Sequence, residues 1–158
     1  MAEGKITLST PSDLEIVMTR VFNAPRLLVF EVYTKPEHVQ HWWGQRGSTM
    51  ISCEMDFRPG GRWPFVTHEA DGSENAFRGE FREIVEPEMI VWTFEWEGMP
   101  GHISVETVTL AEQDGKTTVT SRSVFDSKED RDGMLQSGME AGANESYDRL
   151  EEHLATMS

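Results

Sequence analysis

The chain carries 28 acidic and 14 basic side chains over 158 residues, a net charge of −14. So acidic a surface repels phosphate backbones and anionic lipid headgroups, which argues against nucleic acid and membrane as partners. The length suits one domain over 1–158, with a packed core expected over about 14–155 that needs no staples.

Met1-Ala2-Glu3-Gly4-Lys5 leads into no apolar run of signal-peptide length, and no later stretch is long enough to span a bilayer. With Cys53 as the only cysteine, a cytoplasmic location without disulfides is expected. Leu14, Ile16, Met18 and Phe22 then alternate with polar neighbours, a period of two that predicts a half-buried strand whose apolar face Arg20 breaks. Ala24-Pro25 opens a helix carrying Leu28, Val29 and Val32, and Lys35-Pro36 starts a second short helix that stops at Gly44. Ile51, Cys53, Met55 and Phe57 share one face of the next strand, Pro59-Gly60-Gly61 turns the chain, and Trp63, Phe65 and Thr67 return it as a hairpin.

After the Asp71-Gly72 turn, Phe77, Gly79 and Phe81 form an inner face backed by Arg78, Glu80 and Arg82. The strand Ile90, Trp92, Phe94, Trp96 follows with the strongest apolar face in the sequence. Two further strands, about 102–112 and 117–125, are joined through Asp114-Gly115, a tight hairpin signal. From Ser127, spaced with Asp130 as in a capping box, Leu135, Met139, Ser146, Leu150 and Leu154 recur at helical spacing and predict one long C-terminal helix. The order strand, two short helices, six antiparallel strands and a long helix gives an α+β fold whose apolar sheet face is covered by that helix.

Three segments carry a family resemblance: Val21-Phe22-Asn23-Ala24-Pro25, His41-Trp42-Trp43-Gly44, and the run from Asp56 through Arg58-Pro59-Gly60-Gly61 to Trp63. In these the chain resembles the AHSA1 family, named after the activator of the Hsp90 ATPase, within the START/Bet v 1-like (SRPBCC) superfamily. The resemblance implies the helix-grip fold, a curved seven-stranded antiparallel sheet wrapped around the C-terminal helix with two short helices after the first strand. It also brings departures. Gln45 stands where relatives usually have Pro, Pro64 sits inside a strand where a ladder N–H is expected, and Ala143 replaces a large residue, often Trp.

Trp63, Phe65, Phe77, Phe81, Trp92, Phe94 and Trp96 either fill a core or wall a cavity for a flat or apolar ligand. Trp42 and Trp43, as adjacent helical positions, point about 100° apart, so one buries and the other sits at a cavity mouth or interface. Gly133, Gly138 and Gly142 fall where helix is expected, at a cost of about 1 kcal/mol each relative to alanine. Gly138 and Gly142 share a face with Leu135 and Ser146, which either leaves a hollow over the sheet or permits close helix-to-sheet contact. Leu135, Gly138, Met139, Gly142, Ala143 and Ser146 therefore join Trp43 and the aromatic wall as candidate ligand-binding residues, with Ala143 widening the hollow.

Thr107, Thr109, Ser121 and Ser123 share the inner face if Glu106 and Arg122 point outward, although Val108 and Leu110 argue for the opposite phase. His38, His41 and His68 lack a completing ligand at a recognisable metal spacing, and Cys53 reads as a small buried hydrophobe. No nucleophile elbow, phosphate loop or dinucleotide fingerprint is present, so no catalytic residue, metal or cofactor is expected. The leading expectation is a binding protein for a small apolar or amphipathic molecule; a homodimer is left open. The alternatives are an enzyme resembling polyketide cyclases, using an inward Arg20, His68 or Glu83, and an Hsp90 co-chaperone. Against the last, the thirteen residues before Leu14 are too few for the additional N-terminal domain of the eukaryotic activator, so Hsp90 ATPase activity is not expected to respond.

Overall fold

Alternating segments become strands and three-to-four-spaced segments become helices in a computed structural model of the chain, which describes residues 6–43 and 47–157. The strands are β1 (Thr7–Ser9), β2 (Glu15–Phe22), β3 (Thr49–Cys53), β4 (Phe65–His68), β5 (Glu74–Arg78), β6 (Phe81–Val85), β7 (Met89–Trp96), β8 (Ile103–Gln113) and β9 (Lys116–Val124). The helices are α1 (Arg26–Thr34), α2 (Pro36–Trp42), α3 (Lys128–Gln136) and α4 (Met139–Ala155). All strands join one antiparallel sheet in the order β1-β2-β9-β8-β7-β5-β4-β3, with β6 pairing β7 beside β5. This is the α+β helix-grip arrangement expected, with nine described strands instead of seven.

Both additional strands have a local cause. β1 is a short edge ribbon that pairs Thr7–Ser9 with Val17–Thr19. The strand expected through Phe77 and Phe81 is interrupted at Gly79, where an added Cβ would lie 1.9 Å from the Thr93 carbonyl oxygen and 2.6 Å from Trp63 Nε1. The Trp63 indole passes over this glycine to donate to that same carbonyl at 3.1 Å. No side chain larger than hydrogen fits beneath it, and the ladder breaks into β5 and β6 around the crossing.

The edge strand β3 corrects another expectation. A bulge between Met50 and Ser52 inserts one residue against β4, so Ile51 turns outward and is 53% exposed while Met50 and Cys53 pack on the core. Pro64 needs no ladder N–H, because β4 begins at Phe65 and the Pro64 carbonyl accepts from the Glu54 N–H at 3.2 Å. Between β8 and β9, Asp114 at φ 56° and Gly115 at φ 78° make the left-handed pair that a two-residue hairpin requires.

The single long C-terminal helix is corrected to two. Ser127 caps α3 by accepting from the Asp130 N–H at 3.1 Å, but Gly138 lies at φ +85° and starts a new helix instead of continuing the old one. α4 packs its backbone closely on α1, α2 and α3 and stands farther from the strands. Phe22, Val29, Val32, Ile90, Val108, Val119 and Leu150 are wholly buried in the core, each contributing roughly 1.5–3 kcal/mol by transfer from water. No described helix is long and apolar enough to cross a membrane.

Candidate functional site

The space between α4 and the sheet is not filled by side chains. A cavity of about 720 Å³ lies there, bounded by α1 and α2 on one side and by β4 to β8 on the other. Its aromatic wall is a chain of edge contacts. The Trp43 ring meets Phe65 at 5.3 Å and Phe77 at 4.8 Å, Trp63 meets Phe65 at 4.9 Å, and Phe81 meets Trp92 at 6.4 Å. Strand alternation puts the sheet's rings on one face, and Trp43, at the end of α2, meets Phe65 and Phe77 edge-on from the helix side.

Trp43, Trp63, Phe65, Phe77, Phe81, Trp92, Phe94, Met139, Gly142, Ala143 and Ser146 all line the cavity. Trp42 instead buries its ring edge-on to Tyr33 and donates its indole N–H to the Val32 carbonyl at 2.9 Å, presenting only part of its surface to the void. The Ser146 hydroxyl donates to the Trp42 carbonyl at 2.9 Å, tying α4 to the end of α2. Gly44 as the helix stop and Gln45 as a loop departure fall outside the described residues.

Three candidates lie elsewhere. Gly138 is the left-handed joint between α3 and α4, and Leu135 lies on α3, so the joint turns both away from the face that Gly142 presents. Trp96, 39% exposed at the end of β7, donates to Asn75 Oδ1 at 3.1 Å and borders a separate groove of about 330 Å³ with Met99, Phe125 and Met134. Phe77 and Phe94 stand between the two spaces and line both.

The inner face of β8 and β9 runs in the phase of Val108 and Leu110. Val108 opposes Ser121 and Glu106 opposes Ser123, so the two serines share the inner face and Arg122, opposite Thr107, faces out as expected, whereas Thr107 and Thr109 face away and Glu106 faces in, which corrects the rest of the hydroxyl-lined expectation. Glu106 accepts hydrogen bonds from the Ser121 hydroxyl at 3.1 Å and from the Trp92 indole. Burial pushes its carboxyl above the usual range, and those two bonds only partly offset the effect. Beside it stand Tyr33 of α1 and Tyr147 of α4. Burial, followed by their mutual proximity and the nearby Glu106, raises Tyr33 well above its ordinary value, and burial pushes Tyr147 up to about 12. Tyr147 lies close to the Tyr33 hydroxyl without completing a hydrogen bond to it.

A charged residue in register with an apolar inner row is the sequence signal for Glu106, and the same signal marks Arg20. Arg20 is buried beneath α4, donates to Asp148 Oδ1 at 2.9 Å and lies 5.1 Å above the Phe22 ring, outside the cavity lining. His68 and Glu83 are exposed and do not reach the cavity either, so none of the three acid–base candidates points into it. Tyr33 and Tyr147 come from helices, where no alternation announces an inward face.

At the β4–β5 turn, Glu69 and Asp71 border the cavity with Thr67 and Asn75. Burial raises Glu69, but bonds from Thr67 at 2.6 Å and Asn75 at 2.9 Å, with Ser48, outweigh it and leave its pKa lowered. Hydrogen bonds from the Ser73 hydroxyl and N–H lower Asp71. Cys53 is half-buried and its thiol is pushed up to about 11 by that burial, the opposite of an activated nucleophile. His38 and His41 meet His153 instead of His68: His38 Nδ1 lies 2.9 Å from His153 Nε2, and His41 stacks on His153 at 4.9 Å. The rings bond and stack without converging on a point, and among the described residues no group of three or more donors is arranged to hold a metal ion.

No curated protein matches the chain. A crystal structure from Rhodobacter sphaeroides is 22% identical with a TM-score of 0.90, covering 96% of this chain and 99% of that one. A solution structure from Staphylococcus epidermidis is 27% identical with a TM-score of 0.78 over 96% of this chain and 95% of the other. The crystal structure of an AHSA1 protein from Silicibacter pomeroyi is 19% identical with a TM-score of 0.76, covering 91% and 99%. Residues 23–155 match the family model for activator of Hsp90 ATPase homolog 1-like proteins. With that match running from the end of β2 to the last residue of α4, the chain belongs to the AHSA1 family.

Proposed function

We propose that the protein binds a small apolar or amphipathic molecule between the sheet and α4. The observation that carries this reading is the cavity of about 720 Å³, which has the size, the aromatic walls and the few convergent polar groups of a small-molecule site. Gly142 supports it, since a glycine in the first turn of α4 contributes cavity surface at the expense of helix propensity. Titration with flat apolar molecules quenches or shifts tryptophan emission and raises the melting temperature, because a ligand that binds only the folded state stabilises it by mass action. Gly142→Leu fills the space, abolishes that response and leaves stability unchanged or up to about 1 kcal/mol higher. A broad ligand panel that moves neither signal refutes the proposal, and a destabilised Gly142→Leu shows that the space there is already needed by its neighbours.

A second reading rests on Glu106. A carboxyl with a raised pKa inside a cavity suits general acid–base chemistry, moving a proton to or from a bound substrate in an enzyme resembling polyketide cyclases. Mass spectrometry of a bound ligand separates the two: recovery unchanged after incubation supports binding, and a product lost in Glu106→Gln supports catalysis.

A further inference from the structure

The ionisable groups bordering the cavity are of one sign. Glu106 lies within, Glu69 and Asp71 lie at the β4–β5 turn, and no Lys, Arg or His is among the described lining residues. Hydrogen bonds hold Glu69 and Asp71 in the ionised form, and the chain as a whole carries a charge of −14. Field lines from like charges focus into a low-dielectric cleft, so a cation is drawn in and an anion is turned away.

Within the cavity, Glu106 has neutral hydrogen-bond donors only, Ser121 and Trp92, and no cation contributes to its environment. Arg20, a buried cation whose charge reaches Tyr33 and Tyr147, is paired with Asp148 and lies outside the described lining. A second, independent observation lies beside it. Tyr33 is 7% exposed and lines the cavity, yet its hydroxyl completes no hydrogen bond among the described residues although Tyr147 lies close. A buried polar group left unpaired costs free energy, and a ligand that supplies both its partner and a counter-charge for Glu106 removes two penalties together. Trp92, Phe81 and Tyr147 also line the cavity and offer aromatic surface to the apolar body of a ligand.

We infer that the occupant is a cationic amphiphile, an apolar or aromatic body bearing a protonated amine that pairs with Glu106 and meets the Tyr33 hydroxyl. This rests on the proposed binding role and narrows it by charge: fatty acids and other organic anions are disfavoured.

The test uses three ligands of nearly the same shape, tryptamine, tryptophol and indoleacetic acid, titrated calorimetrically into the intact wild-type protein near neutral pH. The amine binds at least tenfold more tightly than the alcohol, about 1.4 kcal/mol, and the acid binds most weakly. Glu106→Gln brings the amine down to the alcohol while the alcohol is unaffected. Acidification weakens only the amine, because protonating Glu106 removes its counter-charge. Equal binding of amine and alcohol, or an acid that binds as well as the amine, overturns the inference while leaving the cavity as a ligand site. If none of the three binds and the wider apolar panel also fails, the binding role falls and the inference with it; if the panel binds but all three indoles fail, the charge inference alone is overturned. The wild-type comparison decides even if the variant does not fold.

Discussion

Glu106 places a carboxyl where its neighbours Val108 and Leu110 place hydrocarbon, and the cost of that choice depends on pH. Its folded-state pKa is raised above the ordinary 4.5 by burial. Such a group favours the folded state at low pH, and that support is lost as pH rises through the folded value, where a charge must be kept out of water. Glu106→Gln keeps the shape and removes the charge. The variant is therefore expected to melt higher than wild type at neutral pH, and the difference shrinks as pH falls toward 4.5. Melting curves across that range check the sign; a variant that melts lower at neutral pH shows that the Ser121 and Trp92 bonds outweigh the burial of charge. A residue that weakens the fold and faces a cavity fits the pattern of stability given up at a functional site.

At the scale of elements, the two C-terminal helices turn a single sequence feature to opposite ends. Gly133 lies inside α3 with open space around it, whereas Gly138 holds the left-handed joint, also with open space. Neither glycine is required by crowding, so only backbone conformation separates them. Gly133→Ala is expected to stabilise by about 0.5–1 kcal/mol through helix propensity. Gly138→Ala is expected to destabilise by about 1–2 kcal/mol, because a side chain strains the left-handed backbone. Denaturant titration of both variants gives changes of opposite sign, and equal signs would contradict the break between α3 and α4. The α2–α4 contact carries the other element-scale effect. Burial first, then His41 and His38, hold the His153 pKa below its ordinary 6.5, while Glu31 lies near His38. The unfolded chain then binds a proton more readily, so stability is present above pH 6.5 and is lost as pH falls through the lowered folded value. His153→Gln is expected to flatten the decline in melting temperature over that window; an unchanged slope assigns the decline to other groups.

For the molecule as a whole, what the sequence makes legible follows from how far each signal reaches. Strand alternation is local, so the rings of Trp63, Phe65, Phe77, Phe81, Trp92 and Phe94 can be placed on one face before any packing is known. Helix length is not local in this sense. An interior glycine and a left-handed joint look alike in sequence, and the difference is visible only in the folded chain, where Gly138 takes φ +85° and α4 packs on α1, α2 and α3. Register is equally hidden at β3, where one inserted residue sends Ile51 outward. The polar end of the cavity is assembled from α1, α4, β7, β8 and β9, so Tyr33, Tyr147 and Glu106 become neighbours only when the whole sheet has curved around the helix.

The pairing of β2 with β9 sets Glu15 beside Val124, joining the start of the sheet to its last strand. On a ribosome, β2 has only the short β1 beside it and must wait through the synthesis of every strand from β3 to β9 before its second neighbour exists. Contacts so distant along the chain slow folding, and the aromatic segments of β4 through β7 remain without their covering helix in the meantime. The nascent chain gains no closed sheet by stages. A ribosome stalled after β8 would hold not a smaller version of the protein but an open, aromatic surface in need of a chaperone, so the burden this topology places on the cell comes before the chain is finished.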